Sequence, residues 1–514
     1  MTTADIGSGP RTGVKQWLAL GVLVLPALLL FMMLTVLFLA IPQLTADLRP
    51  SSTQTLWIID IYGFLMAGLL VTMGTLGDRI GHRRLLTGGA VVFAVVSVLA
   101  ASTSDPGWLI VWRAVLGVAA ATQMPATLGL IFATFTDRRR QAVAVGVWSG
   151  AISVGTGLGP VAGGALLEAF SWRAAFLIAV PVMAIVAIGA PLLLPAHRNP
   201  AAGRVDLLSV LLSLATLLPI VYGVKELGKD GRLAVAVAAM VIGLAFGAWF
   251  VVRQLRLPEP LVDVRLFANR VVGGALGVFL LAATALGGVY LLITQYLQLV
   301  EGLSPLQAAL WVLPAAALLV LVSTASPILA RRFRPGRLIA AGLAVQVLGY
   351  LMLTQVGATG GLPLLVAGFI VLYPAVAPSM ALTTNLVVGS VPPNKAGAAS
   401  GLATTCSDLG ISLGIAILGS IAAAVYRGQI SAELPAALPP EAAAASRDSL
   451  GGAVTAAQTL PGELGAAVLA PAREAFTGGL TTAAVIAAVI AAGAAVLALR
   501  RLGHLPPTGN TPGH

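Results

Sequence analysis

The sequence predicts an all-α polytopic membrane protein with fourteen transmembrane helices. Three observations carry that expectation. Of 514 residues, 58% are hydrophobic and only 10% are charged, against about 25% charged in an ordinary soluble domain. Mean hydropathy is +0.96. Apolar stretches close to the ~20 residues that cross a bilayer recur along the whole chain. This composition excludes a soluble enzyme, a disordered chain and a fibre. The single cysteine, Cys406, excludes an internal disulfide framework and a cysteine metal site.

Read between charges and Pro/Gly breaks, the spans fall at 17–42, 55–76, 85–104, 108–133, 142–165, 173–194, 206–224, 233–252, 271–297, 305–329, 338–356, 362–387, 397–425 and 479–499. The first runs apolar from Trp17 to about Pro42, too long for a signal-peptide core and without a small-residue cleavage site, so it reads as an anchor. With a cytoplasmic N-terminus, the inside segments collect Asp5, Arg11 and Lys15, then Asp78, Arg79, Arg83 and Arg84, then Asp137 to Arg140. Further along they hold Arg198, Arg204 and Asp206, then Arg253, Arg256, Glu259, Asp263, Arg265 and Arg270. Arg331, Arg332, Arg334, Arg337, Lys395, Arg500 and Arg501 complete the set. These segments hold more than the whole net charge of +11, while the outside segments taken together are net acidic, although the one with Lys225 and Glu226 is itself slightly basic. The basic excess is therefore a positive-inside signal, not a nucleic-acid surface. An even count of spans puts both termini in the cytoplasm of a cell that carries the protein in its plasma or inner membrane.

The spans divide into a six-helix half over residues 1–198, a linker pair of helices over 199–265 and a second six-helix half over 266–514. The linker pair carries almost no polar residue within its spans and reads as a connector. Residues 426–478, rich in Ala, Pro and Ser, read as a long outside loop, partly helical and partly irregular, with a passive connector favoured over a functional lid. Glycine is dense within the span at 142–165, where Gly155, Gly157, Gly159, Gly163 and Gly164 surround Pro160. Glycine lets helix backbones approach closely in a bilayer, and a Gly–Pro break persists where neighbours resatisfy the backbone. The density favours a bent helix at a moving interface over tight packing alone.

The loop after the second span reads Gly74-Thr-Leu-Gly77-Asp78-Arg79-Ile-Gly81-His82-Arg83-Arg84. It resembles the signature loop between helices 2 and 3 of the major facilitator superfamily. Its glycines permit a tight turn, Asp78 can take a helix N-terminus or an arginine, and Arg79 and Arg83 stay at the cytoplasmic surface. Leu109-x-x-x-Arg113-x-x-x-Gly117 resembles the superfamily's helix-4 motif, and Gly155-x-x-x-Gly159-Pro160-x-x-Gly163-Gly164 its antiporter motif in helix 5. Trp57-Ile-Ile-Asp60-Ile-Tyr62, Trp172-Arg173-x-x-Phe176, Gln295-Tyr296-Leu297-Gln298 and Leu303-Ser304-Pro305 are similar to the 14-helix drug:proton antiporter branch, which includes exporters of quaternary ammonium compounds and dyes. The resemblance covers nearly the whole chain. It implies alternating access and export of lipophilic, often cationic, substrates in exchange for protons. Three positions depart from that branch. Met33 stands where helix 1 usually has an aspartate, Thr404 takes the first of two acidic places in helix 13, and Leu116 replaces a glutamine.

Ionisable groups inside spans are functional candidates in their own right. Asp60 and Arg113 each lie about five residues, ~8 Å, into their spans from the outside. They read either as a fixed ion pair ordering two helices or as a proton-exchanging acid tuned by an arginine. Asp408 lies about eleven residues, ~16 Å, from the inside, near the midplane, with no basic residue in any second-half span. A lone midplane acid is what a proton carrier or a cation acceptor needs; a neutral, hydrogen-bonded structural residue is the plainer reading. Met33, Trp57, Tyr62, Trp148, Tyr290, Gln295, Tyr296, Gln298, Trp311 and Asn385 are candidates for a substrate cavity, since aromatic faces suit bulky cations, with Phe31 and Met32 as an adaptable apolar wall. No nucleotide, metal or prosthetic group is implied, because no phosphate-binding Gly-Lys-Ser/Thr loop is present. A monomer is expected. Two other readings stay open: a lipid or secondary-metabolite exporter with weakened proton coupling, and a polytopic membrane enzyme. The enzyme would need clustered Asp, Glu and His at the membrane surface, whereas His82, His197, His504 and His514 have no such cluster beyond the glycine-rich loop.

Overall fold

The computed structural model describes residues 11–135, 137–196, 206–227, 233–257, 260, 264–390, 396–435 and 437–508. Asp5, His197, Arg198, Arg204, Glu259, Asp263, Lys395 and His514 lie outside the described residues. The described chain is helical, with no strand. In a bilayer that follows from the backbone, whose polar groups have no water to bond and are satisfied within each helix.

The first group comprises α1 (Arg11–Leu48), α2 (Ser52–Ile80), α3 (His82–Ser102), α4 (Pro106–Thr134), α5 (Arg138–Ala169) and the broken span α6–α7 (Trp172–Leu177, Ala179–Leu193). An intervening pair follows, α8 (Leu207–Leu227) and α9 (Leu233–Arg256). The second group comprises α10 (Arg270–Gln295), α11 (Pro305–Leu329), α12 (Pro335–Leu353), the broken span α13–α14 (Leu362–Ala375, Ala377–Gly389), α15 (Ala396–Glu433), the short α16 (Pro440–Asp448) and α17 (Leu450–Thr459), and α18 (Gly462–Leu502). Thirteen spans are long and apolar enough to cross a membrane, and α5, bent by 48° between Gly157 and Gly159, makes a fourteenth. The Gly–Pro bend expected from the sequence is therefore present. Local chemistry sets several starts. Ser51 with Gln54 and Ser304 with Gln307 form reciprocal capping boxes on α2 and α11, and Asp105 and Asp137 cap α4 and α5, each satisfying amides left free in a first turn.

Two expectations are corrected. Residues 426–478 are more ordered than a partly irregular loop: α15 runs to Glu433, α16 and α17 follow after short breaks, and α18 begins at Gly462. α15 and α18 run past the bundle, and α16–α17 fold back over the α1–α2 turn. Asp448, ending α16, accepts from the backbone N of Ser52 at 2.6 Å and its Oγ at 3.1 Å. Arg427 donates to the same hydroxyl at 3.1 Å, and Gly451 lies against Thr45. The segment thus ties the second group to the first at this end of the molecule. The loop hid its order because its helices are short and alanine-rich, so they show no long apolar stripe.

The second correction concerns the inserted pair. Only α9 is peripheral, with Val241, Leu244 and Trp249 each more than half exposed on its outer face. α8 packs against α2 and α15. It runs one turn further than the predicted span, so Lys225 and Glu226 are not in a loop but in the helix, 3% and 2% exposed. The pair is held by close small-residue packing, with Gly223 on Met240 and Gly243 and Gly247 on Thr216, and by one terminal nitrogen of Arg253, which donates to both carboxylate oxygens of Asp206 at 2.9 and 3.1 Å.

Bonds between the two groups gather at the end carrying the α1–α2 turn. Besides Asp448–Ser52, Ser304 donates to Glu168 at 3.1 Å, and Gly164 of α5 abuts Pro305 and Leu306 of α11.

Candidate functional site

A cavity of about 160 Å³ lies between the two groups where α1, α2 and α4 face α10 and α15. Its walls are almost wholly apolar and aromatic: Phe31, Leu34 and Phe38 from α1, Leu286 and Tyr290 from α10, Tyr373 from α13 and Met380 from α14. Tyr290 anchors an aromatic cluster, stacked on Tyr373 at 5.7 Å and edge-on to Phe38 at 5.3 Å between ring centres. Into this lining project three ionisable side chains, Asp60, Arg113 and Asp408. Asp60 and Asp408, read from the sequence at different depths, are thus brought to one cavity, one from each group. Thr35, Ser407 and Ser412 add hydroxyls. Ser412 sits where α2 and α15 cross closely, with Gly63 opposite: a Cβ at Gly63 would come within 2.7 Å of the Ser412 oxygen.

The charges are arranged differently from the expected Asp60–Arg113 pair. Arg113 donates through Nε to the Ile58 carbonyl at 2.9 Å and through a terminal nitrogen to the Ile59 carbonyl at 3.3 Å, with its guanidinium 4.4 Å from the centre of the Tyr62 ring. It stitches α4 to the backbone of α2. The ion-pair partner of Asp60 is Lys225 of α8, at 2.9 Å, with both side chains fully buried. Lys225 also lies 4.0 Å from the centre of the Trp57 ring. Sequence reading missed this residue because it was assigned to a loop. The available signal was a lysine one turn beyond an apolar helix, together with a membrane acid still in need of a counter-charge. Asp408 has no hydrogen-bond or ion-pair partner among the described residues, which leaves the plainer reading of a hydrogen-bonded structural acid without a donor.

The candidate cavity residues are scattered. Tyr290 lines the cavity. Trp57 and Tyr62 serve as ring partners to Lys225 and Arg113. Met33 is buried in the main hydrophobic core rather than lining the space. Trp148 donates to Thr127 at 3.2 Å. Tyr296 donates to the Gly357 carbonyl at 2.6 Å, and Gln298 to the Thr294 carbonyl at 3.3 Å. Gln295 lines a separate cavity of about 80 Å³ beneath α17. Trp311 is 44% exposed on the outer face of α11, and Asn385 is exposed on α14. Phe38, Tyr373, Met380, Ser407 and Ser412 were not among the candidates; no periodicity distinguishes them from packing residues. A larger cavity of about 550 Å³ lies under α16–α17, beside Arg49 and Asp448, away from the intramembrane acids.

The glycine-rich motifs resolve into specific contacts. Gly155, Gly159 and Gly163 recur every fourth residue, and all three face α1, against Leu28, Met32 with Thr35, and Val36. Gly164 faces α11, so α5 touches both groups through glycines. In the turn from α2 to α3, Gly81 adopts φ 98°, a conformation that glycine enters without strain. Asp78 pairs with His82 at 2.9 Å, not with an arginine. The His82 ring packs against Gly77 and Gly129, and Gly74 against Pro125. Arg83 donates to the Leu194 carbonyl at 3.2 Å, binding α3 to the end of α7, while Arg79 is exposed.

Residues 23–415 match the family model described as Major Facilitator Superfamily. The chain is 42% identical over 490 residues to "Multidrug efflux pump LfrA" of Mycolicibacterium smegmatis, covering 95% of this chain and 97% of that protein. It is 34% identical to "Methyl viologen resistance protein SmvA" of Salmonella typhimurium, covering 90% and 93%, and 31% identical to "Tetracenomycin C resistance and export protein" of Streptomyces glaucescens, covering 96% and 94%. Among solved structures it resembles a bacterial homologue of the human lysosomal transporter Spinster in an inward-facing, unoccupied conformation, with a TM-score of 0.65 at 17% identity over 96% of this chain and 99% of that one.

Proposed function

The chain belongs to the Major Facilitator Superfamily, and we propose on that footing that it exports lipophilic, mainly cationic drugs and dyes from the cytoplasm in exchange for protons. The observation that carries this reading is the central cavity, where an unpaired acid, Asp408, stands in an apolar and aromatic pocket between the two groups. Such walls accept flat hydrophobic bodies without demanding hydrogen bonds, and a carboxylate in low dielectric attracts either a cation or a proton, but not both at once. That mutual exclusion is the chemical basis of antiport. Export by relatives named for drug efflux and resistance supports the substrate class.

In this reading, residues 1–198 and 266–514 rock about the cavity, as alternating access requires. The positive-inside distribution orients both termini to the cytoplasm of a cell membrane. The structure then corresponds to the state closed outside, since Asp448–Ser52 and Glu168–Ser304 join the groups at the outer end. The α5 glycines supply the sliding surface and the Asp78–His82 turn the inner latch. The protein acts as a monomer.

A second reading has its own support. Asp60 is neutralised by Lys225, and Met33 and Thr404 hold no acid, so one unpaired acid carries the coupling. An exporter of neutral secondary metabolites or lipids with weak proton coupling fits that charge count. Dye efflux from proteoliposomes under an imposed pH gradient separates the two. Export of a quaternary ammonium dye driven by the gradient supports antiport; export indifferent to the gradient refutes it.

A further inference from the structure

The inserted helix α8 brings a cation into the protein that the chemistry of its site does not require as a strut. Lys225 Nζ lies 2.9 Å from Asp60 Oδ2 and 4.0 Å from the centre of the Trp57 ring. Phe64, Val221 and Ala416 pack with Trp57 to close the apolar side. An anionic oxygen facing an indole face is the arrangement that recognises ammonium and quaternary ammonium groups. Asp60 also opens onto the central cavity.

We propose that Trp57 and Asp60 form a cation subsite of the cavity and that Lys225 is its tethered resident, displaced when a lipophilic cation binds. The ligand class rests on the export reading above; the subsite itself rests on the geometry. One contrast supports it. At the Asp206–Arg253 pair both carboxylate oxygens accept from Arg253, and Ser209 donates to the same carboxylate, as a fixed strut should be. At Asp60 a single 2.9 Å contact from Lys225 reaches Oδ2 alone, and Oδ1 has no hydrogen-bond partner among the described residues. A buried pair so held gains little from its geometry. The tether also suits an occupant that leaves. Lysine carries its charge on a flexible four-carbon stem, and Lys225 is two residues from the end of α8, where a displaced ammonium can reach the membrane interface.

The test uses the purified full chain and ethidium, a permanently charged probe, with binding read by fluorescence. Lys225→Met keeps an unbranched side chain, one atom shorter, and removes the competing charge. The expected result is at least tenfold tighter binding than in the parent. The gain should vanish in Lys225→Met/Asp60→Asn, which removes both buried charges together, and shrink in Lys225→Met/Trp57→Leu, while Lys225→Arg should bind no tighter than the parent. Equal affinity in the parent and Lys225→Met, or a gain that survives Asp60→Asn, overturns the proposal. If Lys225→Met does not fold, the parent itself decides: saturating ethidium should raise acylation of Lys225 by an amine-reactive reagent, read by mass spectrometry, and unchanged labelling overturns the proposal. Efflux is measured separately. A parent that exports no cation, with Asp60-dependent gain in Lys225→Met, retires the export reading and leaves the subsite; efflux without that gain retires the subsite alone.

Discussion

Gly155→Ala adds a single methyl group at the α1–α5 crossing. The new Cβ would lie 2.5 Å from the Leu28 carbonyl oxygen and 3.3 Å from its Cα. These are backbone atoms and cannot rotate aside. Restoring an ordinary carbon–oxygen contact requires α1 and α5 to part by about 1 Å, which forfeits a quarter or more of the dispersion energy of every neighbouring contact. Overpacking of this kind costs about 1–3 kcal/mol, offset by at most ~1 kcal/mol of helix propensity. Gly146→Ala and Gly157→Ala sit on the same helix with nothing within 4 Å of the added carbon, so they should be neutral or slightly stabilising. Gly129 is no neutral control, because its Cβ would meet the His82 ring at 2.7 Å. Thermal unfolding in detergent, paired with dye efflux at matched expression, reads both effects. Gly155→Ala should lower the midpoint and slow efflux several-fold, with Gly146→Ala and Gly157→Ala near parent. Indistinguishable behaviour of the three variants would refute the claim that glycine at 155 is required by the crossing.

Asp408→Asn, which keeps shape but cannot release a proton, should abolish pH-driven exchange in proteoliposomes while the protein remains monodisperse; an unchanged pH response would make this acid structural. Asp78→Ala removes the His82 partner at 2.9 Å and should impair efflux with normal membrane insertion, checked by surface labelling. Asp448→Ala deletes two bonds to Ser52, together about 2 kcal/mol, and should raise the reactivity of a cysteine placed in the cavity toward an impermeant thiol reagent added outside. Burial pushes the Asp206 carboxyl up, but bonds from Arg253 and Ser209 outweigh it and hold the group below its ordinary value. The pair's contribution is therefore complete above the ordinary carboxylate range, about pH 4, and is lost as pH falls through the depressed folded value. Asp206→Asn should lower the midpoint at pH 7 and converge with the parent in strong acid; a constant gap across pH would refute the assignment.

Much of the molecule is legible in its sequence. Fourteen spans follow from apolar length, because a bilayer demands about twenty apolar residues whatever their neighbours. The bend of α5 was legible from Gly–Pro spacing, and the tight turn at Gly81 from the loop motif. The intramembrane acids were legible too, since a charge in an apolar run stands out without knowledge of its surroundings. The order in 426–478 was not, because alanine-rich short helices owe their form to docking on α1 and α2 rather than to a stripe of their own.

What the sequence by itself determined is the solvent the chain lives in, the number of its membrane spans, its charge asymmetry and the identity of its costly residues. What only the tertiary structure decided is who meets whom. Asp60 and Asp408 lie far apart in the chain, yet share one cavity because α2 and α15 cross at Gly63 and Ser412. Arg113 spends its donors on carbonyls of α2, leaving Asp60 to Lys225. Met33 turns into the core while Phe31 and Leu34 on the same helix face the cavity. Span length is a property of each segment against lipid and survives in one dimension. Pairing depends on helix rotation and crossing, which are set by close contacts between small residues on different helices and have no periodic trace along either one.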